Sequence, residues 1–202
     1  MAKPEGKRVA IVCMANIARS RTFEHVLREH LDRRIGKKVE VVSFGVGNPQ
    51  KIVAAAPQRK INRRLLGPDA ERGLEGARIA EPLATKLFRE ALIRGGYSFP
   101  GLYGSSKIVT PETPKRQSDL ASCNLILAVG EPEAERIKAL IPKEHHHKIR
   151  VLHEFVGEKE PLKDIGFNED PVAAMDALVR TSGEYATKAA KKIDTLYRKR
   201  EL

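Results

Sequence analysis

The sequence has only two cysteines and no tryptophan among its 202 residues. Cys13 and Cys123 are too few for the disulfide framework of a small secreted protein or for a four-cysteine zinc site. Both are therefore expected to be free thiols in a reducing compartment. Their roles are then limited to packing or to chemical reactivity.

Long apolar runs are missing as well. No stretch reaches the roughly 18 residues that a transmembrane helix needs. Residues 1–8 lack the apolar region of a signal peptide. The sequence therefore predicts a cytoplasmic protein that does not bind a membrane.

Basic residues outnumber acidic ones by 37 to 26, which gives a formal net charge of +11. A hydrophobic share of 41% fits a folded globular chain, and the length suits a single domain over residues 1–202. The positive charge favours anionic partners, either phosphorylated molecules or nucleic acid.

Strands and helices are predicted to alternate along the chain. A continuous apolar run at 7–12 is typical of a strand buried on both faces, and apolar residues recur at helical spacing between 19 and 34. The other predicted strands lie at 39–44, 108–109, 124–129 and 149–152, and the other predicted helices at 81–94, 131–140 and 172–197. This order predicts an α/β fold with a parallel sheet covered on both faces.

Residues 51–76 hold six basic and three acidic side chains, and we interpret them as a basic insertion. Such a segment fits phosphorylated protein or nucleic acid. No base-stacking aromatic residues interleave with its charges, which makes nucleic acid the weaker alternative.

Cys13 directly follows the first predicted strand, with Arg19 and Ser20 at the start of the next helix. A thiolate is the nucleophilic form of cysteine, and a helix N-terminus stabilises an anion. Five intervening residues allow successive backbone N–H groups to surround three phosphate oxygens. Arg19 can bind two of these oxygens with its planar guanidinium, and the Ser20 hydroxyl can donate a hydrogen bond to the thiolate. The spacing therefore predicts phosphoryl transfer.

Residues 9–31, VAIVCMANIARSRTFEHVLREHL, resemble the N-terminal strand, phosphate-binding loop and first helix of the low molecular weight protein tyrosine phosphatases. The usual loop of that family reads C-x-G-N-x-C-R-S, and Cys13, Asn16, Arg19 and Ser20 match it. SFGVG from Ser43, LILAV from Leu125 and the pair Asp170-Pro171 resemble later segments of the family.

The resemblance implies a three-layer αβα fold around a four-stranded parallel sheet. It also implies a two-step reaction without metal or cofactor, in which Cys13 attacks phosphorus, Arg19 stabilises the charge and Asp170 protonates the leaving oxygen. Asn16 would order the loop through its side chain. The predicted substrate-binding residues are Met14, Ala15, Asn16, Ile17, Ala18 and Ser20.

Asp170 has rivals for the role of the acid. Asp-Pro is also an ordinary helix start, with aspartate as the N-cap and proline at the first helical position. The family often shows D-I-x-D-P, which makes Asp164 a second candidate, and Glu169 is a third.

Three positions depart from the family pattern. Ala15 replaces a glycine, and would strain the loop by about 1 kcal/mol if its φ were positive. Ala18 replaces a cysteine that serves many members as a disulfide partner. Val172 stands where tyrosine-specific members carry an aromatic residue.

The sequence thus favours a cysteine-dependent phosphatase that hydrolyses phosphomonoesters, and we expect protein substrates of the phosphotyrosine type. Phosphoarginine and small phosphate esters also fit the motif. The alternatives are a phosphate-binding module with weak or no turnover, and a basic nucleic-acid-binding protein on the same fold.

Overall fold

The computed structural model describes residues 6–16, 18–47, 89–98, 107–163 and 170–202. The predicted insertion at 51–76, and the positions Ile17, Asp164 and Glu169, lie outside these residues. The strands are β1 (Lys7–Cys13), β2 (Val39–Gly45), β3 (Leu125–Ala128) and β4 (Ile149–Val151). The helices are α1 (Arg19–Ile35), α2 (Pro114–Ala121), α3 (Glu131–Leu140), α4 (Leu152–Val156) and α5 (Pro171–Arg198), together with a 3-10 helix (Lys143–Lys148) and a helical segment at 89–94.

The four strands form one parallel sheet in the order β2-β1-β3-β4. Val9 of β1 pairs with Val41 on one side and with Leu125 on the other. The strand β1 is therefore one of the two inner strands of the sheet, as its continuous apolar run predicts. The predicted α/β fold with a four-stranded parallel sheet is confirmed.

Alternate side chains of β1 enter two separate cores. Val9, Ile11 and Cys13 pack on the face covered by α1 and α5. Ala10 and Val12 pack on the opposite face, with residues of α2 and α3. Because successive side chains of a strand point to opposite faces, the Cys13 side chain lies on the α1 face, where the next helix begins.

The predicted strands at 7–12, 39–44 and 124–129 and the predicted helices at 19–34, 131–140 and 172–197 lie within one residue of the observed elements. The helix predicted at 81–94 ends at the predicted residue, and its part before residue 89 lies outside the described residues. Two other predictions differ from the structure. The strand predicted at 149–152 ends at Val151, because Leu152 begins the short helix α4. Instead of forming the predicted strand at 108–109, Ile108 makes a single parallel bridge to Gly45. Among the described residues, no helix is both long and apolar enough to span a bilayer.

Candidate phosphate-binding site

Cys13 is the last residue of β1, and α1 begins six residues later at Arg19. Its side chain is buried, with 3% of the residue exposed. Its Sγ lies 3.0 Å from the Ser20 hydroxyl and accepts a hydrogen bond from the Asn16 backbone N–H at 3.2 Å. The strand-loop-helix order therefore places two polar groups of the loop against the sulfur.

The Asn16 side chain has a fixed orientation. Its Oδ1 accepts a hydrogen bond from the backbone N–H of Lys107 at 3.0 Å, and a backbone N–H can only donate. Its Nδ2 therefore faces the other way, and donates to Ser20 Oγ at 3.0 Å and to Ser43 Oγ at 2.8 Å. One amide thus joins the loop to α1, to β2 and to the segment at 107.

These hydrogen bonds determine where the two serine hydroxyls donate their own hydrogens. Ser43 accepts from Asn16 and donates to Glu24 Oε2 at 2.5 Å. Ser20 also accepts from Asn16, so its own hydrogen is left to point at Cys13 Sγ. The network therefore directs a hydrogen-bond donor, the Ser20 hydroxyl, towards the Cys13 sulfur.

Asn16 also has an unusual backbone conformation within the loop. Its φ is +51°, in the left-handed region that asparagine tolerates better than most residues. Ala15 has no positive φ, so the strain considered for it does not arise. The buried Arg21 holds this conformation, because its Nε donates to the Asn16 carbonyl oxygen at 2.8 Å.

The carbonyl groups at the start of the loop are turned towards the chain after β2. The Cys13 oxygen accepts from Val46 N–H at 3.0 Å, and the Met14 oxygen accepts from Gly47 N–H at 2.7 Å. In a trans peptide the N–H points opposite to the C=O. The N–H groups of Met14 and Ala15 therefore point away from this chain, as an anion-binding loop requires.

Gly45 permits this close approach. A Cβ at this position would lie 2.9 Å from the Met14 oxygen and 2.7 Å from Ile108 Cδ1. No real side chain fits such distances without displacement of the loop. The close contact with the phosphate loop therefore explains the first glycine of the SFGVG segment.

Arg19 lies at the start of α1 and forms an ion pair with Glu133 in the first turn of α3. Their nearest atoms, Arg19 Nη2 and Glu133 Oε1, are 3.3 Å apart, and the two side chains are 16% and 5% exposed. Sequence reasoning missed Glu133. The available signal was its position just after β3, because the carboxyl ends of parallel strands meet at one edge of the sheet.

Asp170 is the N-cap of α5. Its Oδ1 accepts a hydrogen bond from Val172 N–H at 2.9 Å, and the residue is exposed. The helix-start interpretation of Asp-Pro therefore describes its local structure. A role as proton donor remains a prediction for Asp170, as it does for Asp164 and Glu169.

The second cysteine has a different environment. Cys123 is fully buried in the other core, and burial raises its pKa to about 12. It therefore stays protonated at neutral pH. Its surroundings are those of a packing residue.

Within the described part of the chain, Glu131, His153 and Glu154 form a group with metal-ligand character. One ligand atom from each lies within 4.8 Å of the others, and both glutamates are exposed. Exposed carboxylates commonly gather without a metal. The phosphate site is formed by other residues, so this group carries no role in the chemistry described below.

A buried cysteine at the end of an inner parallel strand, with arginine and serine opening the next helix, is an arrangement suited to a cysteine nucleophile that attacks phosphate. The comparison with protein families agrees. The family model described as Low molecular weight phosphotyrosine protein phosphatase matches residues 8–91, which include the whole loop. The resemblance seen in the sequence is thereby confirmed over this part of the chain, and the matched family consists of phosphatases.

Solved structures show the same fold at low sequence identity. A protein tyrosine phosphatase from Entamoeba histolytica with Hepes in its active site is 14% identical, with a TM-score of 0.64 over 94% of this chain and 98% of that one. Wzb from Vibrio vulnificus, in complex with benzylphosphonate, is 19% identical, with a TM-score of 0.61 over 93% and 99%. A YwlE arginine phosphatase mutant with a phosphorylated active-site serine is 19% identical, with a TM-score of 0.59 over 95% and 98%. A comparison with curated protein sequences found no significant match.

Proposed function

We propose that this cysteine-based phosphatase hydrolyses phosphomonoesters on proteins, of the phosphotyrosine type, through a cysteinyl-phosphate intermediate. The observation that carries the proposal is the environment of Cys13 Sγ, which has the Ser20 hydroxyl and the Asn16 N–H within 3.2 Å. Both groups stabilise negative charge on sulfur. A core cysteine of purely structural function has no need of them.

In the first step the Cys13 thiolate attacks phosphorus, and an S–P bond forms while the bond to the leaving oxygen breaks. Asp170 gives its proton to that oxygen, so an alcohol or phenol departs rather than its anion. In the second step water attacks phosphorus and transfers a proton to Asp170. The S–P bond then breaks, which releases inorganic phosphate and restores the thiolate.

Arg19 and the loop amides stabilise the equatorial phosphoryl oxygens in both transition states. The ion pair with Glu133 restricts the guanidinium before substrate arrives. Preorganised donors of this kind lose little entropy on binding. Loss of Arg19 should therefore lower kcat more than it raises KM.

The first experiment measures hydrolysis of an aryl phosphate in the presence of EDTA, with and without vanadate, by the wild type, Cys13→Ser and Asp170→Asn. The side-chain amide oxygen introduced by Asp170→Asn can still cap α5, so this variant removes the acid and keeps the helix start. We expect vanadate-sensitive activity in the wild type and none in Cys13→Ser. Loss of a general acid should lower kcat by roughly 100-fold or more in Asp170→Asn.

Equal activity in the wild type and Cys13→Ser would refute the mechanism. Full activity in Asp170→Asn would move the acid to Asp164 or Glu169, which the corresponding amide substitutions can test. No wild-type activity, with phosphopeptide binding intact, would favour the phosphate-binding module.

Substrate type requires a second comparison, because one structural neighbour is an arginine phosphatase. We expect a larger kcat/KM for a phosphotyrosine peptide than for the same peptide with phosphoarginine. The opposite order would contradict the proposed substrate. Oligonucleotide binding that is weak or insensitive to salt would count against the nucleic-acid alternative.

A further inference from the structure

A groove of about 670 Å³ has β4 and α4 on one side and the second half of α5 on the other. β4 is an outer strand of the sheet, so this side of it faces no further strand within the described residues. The groove lies among residues that the proposed chemistry does not use. Its five cationic lining residues are Arg150, Lys188, Lys191, Lys192 and Lys199.

The charges of the groove are unbalanced. Five cations face two anions, Glu154 and Glu201, which leaves a net charge of three positive. Lys188 forms an ion pair with Glu158, whereas Lys191 and Lys199 have no ion pair within the described part of the chain. The groove therefore attracts an anionic partner.

The floor of the groove is apolar. Val151, Val156 and Leu196 contribute to it, and Phe155 is covered by the Lys192 ammonium 5.7 Å from its ring centroid. A partner is stabilised by this floor only if it buries apolar side chains against it. Alternating acidic and apolar side chains of an extended polypeptide satisfy both the lysine rim and the floor.

A nucleic acid fits this surface less well. Its phosphates are closely and regularly spaced, so Glu154 and Glu201 would repel some of them. The lining holds one aromatic ring, Phe155, and the Lys192 ammonium already lies over one of its faces, so the groove has no series of rings on which successive bases could stack. A polypeptide can place its acidic residues opposite the lysines and avoid the glutamates.

We propose that this groove binds an acidic, partly apolar segment of the phosphorylated protein substrate, at a position separate from the phosphate loop. The inference rests on the proposed phosphatase function for the identity of its partner. Binding in the groove would raise the local concentration of the phosphorylated side chain near Cys13. It predicts a preference among phosphoproteins that small aryl phosphates cannot reveal.

The binding experiment uses a short fluorescein-labelled peptide in which glutamate alternates with leucine, and a control peptide with glutamine for glutamate. Fluorescence anisotropy compares the wild type, Lys191→Glu/Lys199→Glu and the charge-matched Lys37→Glu/Lys38→Glu. The control lysines are exposed and precede β2, at the opposite edge of the sheet. Because both substitutions replace an attraction for the acidic peptide by a repulsion, we expect affinity to fall about tenfold in the groove variant alone.

The kinetic experiment compares phosphotyrosine peptides that carry the acidic or the glutamine extension. The acidic extension should raise kcat/KM in the wild type and in Lys37→Glu/Lys38→Glu, but not in the groove variant. Aryl phosphate hydrolysis should be the same in all three proteins.

Several results would overturn the proposal. They are a lack of peptide binding by the wild type, an equal loss of affinity in both double variants, and tighter binding of a single-stranded oligonucleotide than of the acidic peptide. Peptide binding without aryl phosphate hydrolysis would refute the phosphatase function and the substrate assignment, but would support the groove as a binding site. Aryl phosphate hydrolysis without peptide binding would refute the groove alone.

Discussion

The ion pair between Arg19 and Glu133 allows a quantitative test of the site. At 3.3 Å two unit charges attract each other by about 5 kcal/mol at an effective dielectric constant of 20. Desolvation offsets much of this, because the Glu133 side chain is only 5% exposed. Glu133→Gln keeps a hydrogen-bond acceptor but removes the charge, so we expect a loss of about 1–3 kcal/mol in the free energy of unfolding.

The kinetic effect should differ between binding and catalysis. Without the contact to Glu133 the guanidinium loses one restraint on its orientation, and restoring that order in the transition state costs about 1–2 kcal/mol. This corresponds to roughly a tenfold lower kcat, since 1.4 kcal/mol is one factor of ten. KM for an aryl phosphate dianion should not rise, because a nearby negative charge has been removed.

Glu133→Asp is the matched control. It keeps the charge but shortens the side chain by one methylene, so the contact with Arg19 lengthens. If the contact orients Arg19, both variants should lose kcat; if charge alone matters, the aspartate variant should behave as the wild type. Wild-type kcat in Glu133→Gln, with folding verified by urea denaturation, would refute the positioning role.

Gly45→Ala should lower stability by about 1–3 kcal/mol and reduce activity, because the new Cβ would lie 2.9 Å from a carbonyl oxygen of the phosphate loop; unchanged urea denaturation would contradict this close packing. Ser43→Ala removes the hydroxyl that accepts a hydrogen bond from the Asn16 amide and donates one to Glu24. A lost hydrogen bond of about 1 kcal/mol should lower kcat/KM about fivefold. An undiminished kcat/KM would show that this bond does not support the loop. Burial raises the pKa of Cys123 to about 12, so only about one in ten thousand of these thiols is ionised at pH 8. Iodoacetamide should therefore inactivate the folded enzyme by modifying Cys13, and vanadate should protect against it. If peptide mass spectrometry found Cys123 modified first, the assignment of Cys13 as the nucleophile would be refuted.

Much of the fold followed from pattern alone. The apolar run of β1 and the helical spacing of α1 were sufficient to place both elements within one or two residues. Helix α3 has the predicted bounds, and α5 extends the predicted range by one residue at each end. These signals are strong because each element packs against a core. Its apolar side chains must therefore recur at the period of a strand or of a helix.

The prediction at residues 149–152 was partly wrong for a physical reason. A short apolar run fits a strand or a buried helix, and periodicity alone does not separate them. Leu152 is fully buried, but as the first residue of α4 rather than the last of β4. Helix α4, which begins at this residue, packs against α5 as well as against the sheet.

Within the candidate site, the sequence alone determined the local machinery. Four residues belong to one strand-loop-helix unit, so their short spacing is enough to bring them together: Cys13, Asn16, Arg19 and Ser20. The tertiary structure decided which groups support them. Ser43, Lys107 and Glu133 reach the loop from 27, 91 and 114 positions along the chain. Ser43 and Glu133 meet there because parallel pairing brings the carboxyl ends of β1, β2 and β3 to one edge of the sheet, and Lys107 because the next residue bridges to Gly45 at the end of β2. No local sequence pattern contains these relations.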